Sequence, residues 1–124
     1  MISPGDVVKR RLCIAGVCPF WHFGILIAPN QVVHMLPECI TRETLAGFAQ
    51  GQVVELAFRP ASPDRTIQRA LQRVGQCGSF HALHNNCSSF ADWCAERPPR
   101  SPAEMLAHAA EPRSPAEKSP PKGR

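Results

Sequence analysis

From residue 6 to residue 60 the chain alternates apolar and polar positions in short runs broken by Gly, Pro and Asn, the pattern of strands joined by tight turns. "GDVVKRRLCIAG" predicts a first strand opened by the Pro4-Gly5 turn, and "WHFGILIAPNQVVHML" predicts a hairpin whose two apolar runs flank Ala28-Pro29-Asn30. Thr41 stands where it would cap a short helix over "TRETLAGFA", ending near Gly47. "QVVELAFRP" alternates well enough to be a third or fourth strand.

The period then changes from two to 3.6. In "SPDRTIQRALQRVG", Ser62 is the N-cap, Pro63 the first helical residue, Asp64 a first-turn acid and Gly75 the stop, while Ile67, Ala70, Leu71 and Val74 form one apolar face. A second helix is expected to begin at or just before Cys87, with Phe90, Trp93 and Cys94 on the side buried against the sheet. After Glu96 the composition shifts: seven prolines follow Arg97, and Ser-Pro-Ala-Glu occurs at 101–104 and again at 114–117, each a capping box. The first copy is placed to start a short helix over 102–110. We divide the chain into one domain, 1–96, and a Pro-rich tail, 97–124, expected to be disordered.

At 124 residues and 44% apolar composition there is room for one modest core. The net charge of +4 changes the picture little, because six Lys/Arg and three Glu from Arg97 onward give the tail +3 and leave the domain +1 (4 − 3 = 1). A basic face for nucleic acid is therefore not expected. "MISPGDVVKRRLC" lacks an apolar export core, and no apolar run reaches the roughly 20 residues that span a bilayer. These features predict a cytoplasmic protein with reduced thiols, in which Cys13, Cys18, Cys39 and Cys94 serve as small buried hydrophobes. Trp21 and Trp93 are read as core or cleft wall and His108 as a solvated tail residue.

Candidate chemistry gathers on three residues. With a three-residue turn over Ala28–Asn30, Gly24 lies opposite His34 and His22 opposite Leu36, so His22 and His34 share a face as diagonal neighbours; a two-residue turn would separate them. Such an imidazole pair can take a proton from a thiol and fix the tautomer that does so. Cys87, in "FHALHNNCSSF", would gain from a helix N-terminus, whose dipole and free N–H groups stabilise a thiolate and later an oxyanion. A zinc site from Cys77, His81, His84 and Cys87 is the competing arrangement. In that case chelation would unfold the domain.

Taken together, "WHFGILIAPNQVVHM" resembles the histidine block, and "FHALHNNCSSF" the Asn-Cys block, of the lecithin:retinol acyltransferase-like proteins; "PGDVV" resembles their opening strand. The resemblance spans residues 4–96 and implies an α+β fold: a circularly permuted papain-like domain of the NlpC type, in which an antiparallel sheet carrying the histidines packs on a helix carrying the cysteine. It implies Cys87 as nucleophile, His22 as general base, His34 as the residue orienting His22, and no metal or organic cofactor. The activity it implies is acyl transfer, or phospholipase-like hydrolysis, through a Cys87 thioester on an acyl-lipid substrate, with transient contact at a membrane surface. Ser88 and Ser89 stand where the family commonly continues with Glu-His. The alternatives are a cysteine peptidase or amidase of the same fold group, and a non-catalytic module whose Pro-rich tail binds a protein partner.

Overall fold

The β-branched and aromatic runs of the first half pair with their sequence neighbours, since each is long enough for a ladder and each break supplies a turn. The computed structural model describes residues 1–81 and 86–98, with 100, 101, 103, 104, 107 and 110. Strands β1 (Val7–Ile14), β2 (Val17–Ala28), β3 (Gln31–Met35), β4 (Ile40–Thr44) and β5 (Glu55–Phe58) form one sheet in the order β4-β3-β2-β1-β5. Every pairing in it is antiparallel. Helix α1 (Leu45–Ala49) follows β4, and α2 (Pro63–Gln72) and α3 (Cys87–Cys94) follow β5, so the fold class is α+β and the histidine strands precede the cysteine helix.

The β2–β3 hairpin reaches the expected register by an unexpected route. Its turn has two residues, with Ala28 opposite Gln31, yet the ladder continues as Leu26 opposite Val32 and Ile25 opposite Val33. Ile27 is thus a bulge, one extra residue that shifts the register by one. Continuing the ladder places Gly24 opposite His34, and the two histidines share a face after all.

Residues 40–44 form a strand, where the sequence suggested a helix beginning at Thr41. They pair with 31–35, and the cap moves to Thr44, whose Oγ1 accepts the Gly47 N–H at 3.0 Å. The ladder partner outweighed the local capping signal. Helix α2 begins as its sequence dictates, with Ser62 as N-cap, Pro63 at its start and Asp64 in the first turn. Its buried stripe runs through Thr66 and Ala70 with Ile67 beside them, while Leu71 and Val74, expected on that face, are 40% exposed.

Strand alternation divides the core in two. Val7, Trp21, Phe23, Ile25, Ile27, Val33, Met35 and Ile40 meet Ala70 of α2 and Phe90, Ala91 and Cys94 of α3 on one face. Val8, Leu26, Val32 and Phe48 pack on the other, under α1. Phe90 is wholly buried, which stabilises the docking of α3 by about 1.5–3 kcal/mol. The domain does not stop at Glu96: the Arg97 guanidinium lies 3.5 Å from the Phe58 ring centre, and Arg100 Nε donates to the buried Asp92 at 2.7 Å. Most of the helix expected over 102–110, His108 within it, and the tail over 111–124 lie outside the described residues.

The reduced-thiol expectation is corrected. Cys13 pairs with Cys18 across the β1–β2 turn, and Cys39 with Cys77 across an isolated antiparallel bridge. Cys13 and Cys77 are exposed and Cys18 and Cys39 half-buried, so of the four cysteines read as small hydrophobes only Cys94 is one. Spacing hid the pairs because cross-strand contact brings each together. Among the described residues no helix is long and apolar enough to cross a membrane.

Candidate active site

On β2 the even positions 22, 24 and 26 turn toward α1, and on β3 positions 32 and 34 do the same. His22 and His34 are therefore buried on the α1 side, 6% and 1% exposed, with Phe48 against both rings at centroid distances of 5.6 and 5.2 Å. His22 Nε2 lies 2.8 Å from His34 Nδ1. Gly24 makes the room: a Cβ there would stand 2.7 Å from Val32 Cγ1, 2.9 Å from Phe48 Cε1 and 3.3 Å from His34 Cβ. Glu43, opposite Val32 on β4, brings Oε1 to 2.8 Å from His34 Nε2. That Nε2 has no aligned hydrogen bond. The carboxylate nevertheless lies within ion-pair reach of Nε2 and favours a proton on that ring.

The carboxylate decides the tautomers. Carboxylate oxygens only accept, so the proton of His34 belongs on Nε2, and its Nδ1 must accept from His22 Nε2–H. That leaves Nδ1 of His22 without a proton, the form of a general base. Both rings stay neutral near pH 7: burial, aided by the positive charge of Arg10 and the proximity of His34, pushes His22 down to about 3. Burial also lowers His34, against the opposing pull of Glu43.

Cys87 opens α3, with Asn86 as its N-cap. The Asn86 Oδ1 accepts from Ser88 N–H at 3.0 Å and Ser89 N–H at 3.1 Å, and the Ser89 hydroxyl accepts from Asn86 N–H at 2.7 Å, which completes a capping box. The Ser89 N–H is therefore engaged by the cap, and the Ser88 N–H is shared between Asn86 Oδ1 and the Cys87 sulfur. The residue keeps some exposed surface while its sulfur lies deep among protein atoms. Burial pushes the thiol up, partly offset by the backbone N–H groups of Phe23, Ser88 and Cys87 and by Arg10. The backbone N–H groups at the helix start favour the thiolate as expected, but desolvation is the larger effect. Helix α3 approaches β2 from the face opposite the imidazoles, and Cys87 meets the strand at the Phe23 backbone, one residue from His22.

Two residues of this neighbourhood escaped the sequence reading. Arg10 is the register partner of His22 and is 4% exposed, its Nε donating to Phe48 O at 2.8 Å and its Nη1 to Arg11 O at 3.2 Å. The available signal was its even position on β1, in line with Val8. Glu43 was hidden by the helical reading of 41–49. Among the described residues the hydroxyl of Ser88, also buried, has no partner. The zinc arrangement loses Cys77 to its disulfide; His81 is exposed and His84 lies outside the described residues. Among the described residues no three His, Cys, Asp or Glu side chains are grouped to hold a metal.

A family model described as lecithin retinol acyltransferase matches residues 38–98, from just before β4 to just beyond α3. The matched stretch contains Glu43 and Cys87, and Arg10, His22 and His34 precede it. No curated protein matches the chain.

Proposed function

Because the chain belongs to the lecithin retinol acyltransferase family, we propose that it is a thiol acyltransferase or hydrolase in which Cys87 carries the acyl group as a thioester, His22 is the general base and His34 orients it. The family points to acyl transfer as the activity class. The observation that carries the assignment to residues is the buried 2.8 Å contact of His22 Nε2 with His34 Nδ1, with Glu43 behind it. Two buried neutral imidazoles hydrogen-bonded to each other fit a general base with an orienting partner, and the order of tautomers leaves His22 Nδ1 free to accept.

In the first step the S–H bond of Cys87 breaks as its proton passes to His22 Nδ1, and the sulfur's electron pair attacks the acyl carbonyl carbon. Collapse of the tetrahedral adduct breaks the ester C–O bond, and the leaving alkoxide takes the proton from His22. An alcohol, amine, lysophospholipid or water then attacks the thioester, again with His22 as base, and the sulfur leaves. Since the thiol and the imidazole both rest neutral, proton transfer accompanies attack; no standing thiolate–imidazolium pair is formed. The substrate class we assign is an acyl lipid, reached by transient contact with a membrane surface. The two disulfides favour an oxidising compartment over the cytoplasm.

Incubation with a short-chain nitrophenyl ester or with phosphatidylcholine, followed by intact-mass spectrometry, tests this reading. An acyl adduct on Cys87 that is absent from Cys87→Ala supports it; unimpaired turnover by Cys87→Ala would sink it. One observation favours a second reading, a non-catalytic module whose Pro-rich tail binds a protein partner: burial holds the thiol protonated. In that case no acyl donor leaves an adduct.

A further inference from the structure

We propose that the flank of α2 bearing Arg69 and Arg73 is a docking surface for a bilayer rich in anionic phospholipid, which brings the Cys87 end of α3 to the lipid. The inference deepens the acyl-lipid reading above and rests on it for the substrate.

Arg65, Arg69 and Arg73 recur at every fourth residue, so on a helix they form one row with about 6 Å of rise between neighbours. The row runs beside α3 in the opposite direction. Arg65 pairs with Glu96 just past the end of α3, Arg69 Nε donates to Trp93 O at 2.9 Å, and the Arg73 guanidinium lies 5.7 Å from the Phe90 ring centre. Each step along the row is therefore about one turn nearer to Cys87, and Phe90 is a single turn from it. The row is also held in place. The Trp93 ring centre lies 3.9 Å from the guanidinium of Arg69 and 4.8 Å from that of Arg73. Arg69 uses Nε on a neutral carbonyl, and Arg73 uses Nε and Nη2 on the Gln76 amide oxygen, so these bonds orient both groups without cancelling their charge. Glu96 neutralises Arg65, but among the described residues no carboxylate pairs with Arg69 or Arg73. Oriented guanidinium groups on an aromatic face fit phosphate oxygens, to which each can donate two hydrogen bonds at once. Although the domain as a whole is nearly neutral, this flank is cationic.

Apolar side chains at the same end of α2 favour a bilayer over a soluble polyanion. Leu71 and Val74, on either side of Arg73 in the chain, are each 40% exposed, and Phe80 beyond them is 37% exposed. A membrane interface takes both kinds of group, with cations at the phosphates and apolar side chains just below them.

The experiment is co-sedimentation of the full chain with vesicles of phosphatidylcholine alone and of an equal mixture with phosphatidylglycerol, at low and at high salt. We expect binding to the mixed vesicles only, weakened by salt. Arg69→Gln with Arg73→Gln should lower it about 25-fold, or about fivefold for each cation taken from an anionic surface, while Arg69→Lys with Arg73→Lys should stay within about threefold of native. Lys118→Gln with Lys122→Gln removes the same charge from the tail and should change binding less than about twofold. Leu71→Gln with Val74→Gln should lower it about tenfold. Circular dichroism checks each fold, and this last pair, at exposed positions, keeps the test open if the arginine variants do not fold. Equal binding to both kinds of vesicle, a loss in the tail pair as large as in the arginine pair, or full binding by folded Leu71→Gln with Val74→Gln overturns the proposal. Sedimentation needs no turnover, so a chain that docks yet forms no adduct on Cys87 overturns the acyl-transfer reading alone. A chain that forms the adduct but ignores anionic vesicles overturns the docking surface alone.

Discussion

His34 stands between two partners of opposite demand: Glu43 at 2.8 Å claims the proton on Nε2, and His22, also at 2.8 Å, must therefore supply one to Nδ1. The relay fixes which nitrogen of His22 is basic. His22→Ala should accordingly slow thioester formation by about 10²–10⁴-fold, the usual contribution of a general base. His34→Gln, whose amide oxygen can still accept from Nε2–H of His22, should lose distinctly less. Adduct formation followed by intact mass gives both numbers, and a larger loss in His34→Gln than in His22→Ala would reverse the assigned roles.

Acid should destabilise the fold through these same rings. Unfolded imidazoles titrate near 6.5, whereas folded His22 sits at about 3 and folded His34 is also lowered. Between those limits the unfolded chain takes up protons that the folded chain refuses, so stability is full above about pH 6.5. It falls on acidification by about 1.4 kcal/mol per pH unit for His22, with a further loss of the same sign from His34. Urea midpoints at pH 7, 5.5 and 4 should show this slope, and His22→Gln should flatten it.

Gly24→Ala should cost about 1–3 kcal/mol, because the new methyl group meets Val32, Phe48 and His34 in a filled space. Both flanking strands are buried, which leaves little room for relaxation. Chemical denaturation measures the cost, and loss of the adduct on Cys87 in protein that remains folded would show that His34 has moved.

The strands, the α2 helix with its Ser62 cap, and the helix beginning at Cys87 were legible in the sequence because alternation and capping are local signals. The pairing of His22 with His34 was legible only conditionally, since the face of β3 depends on a bulge at Ile27 that no residue type announces. Glu43 was missed for a related reason: "TRETLAGFA" carries helix signals, and the neighbouring strand that claims 40–44 is a tertiary fact. Arg10 looked like one cation among three in "KRR", and its burial follows from the packing of α1 over β1. The disulfides were invisible for the same cause, as both are cross-strand contacts.

Opening the two disulfides should have unequal effects. Cys39–Cys77 closes a separation of 38 residues and Cys13–Cys18 one of 5. From the loop each removes in the unfolded chain, their contributions are about 4 and about 2 kcal/mol. The paired Cys39→Ala, Cys77→Ala variant should therefore lose clearly more in urea midpoint than the paired Cys13→Ala, Cys18→Ala variant.

Arg100→Ala should cost about 3 kcal/mol, the low end for breaking a buried ion pair, since Asp92 is 3% exposed at its side chain and Arg100 23%. Adding Asp92→Asn should recover part of the loss. An additive double variant, checked by a mutant cycle, would mean that the two do not interact.

The bulge at Ile27 bears on how this hairpin can change over generations. Three residues between Gly24 and His34 stand outside the ladder: Ile27, Pro29 and Asn30. Loss of one leaves a plain two-residue turn, and gain of one makes a four-residue loop; in either case Gly24 can keep its place opposite His34. The tip of the hairpin is thus a length buffer. Related chains are free to drift there by insertion and deletion while the imidazoles hold their alignment, so variation in turn length is a poor guide to whether a relative has kept the site, and the presence of a glycine at the position of Gly24 is a better one.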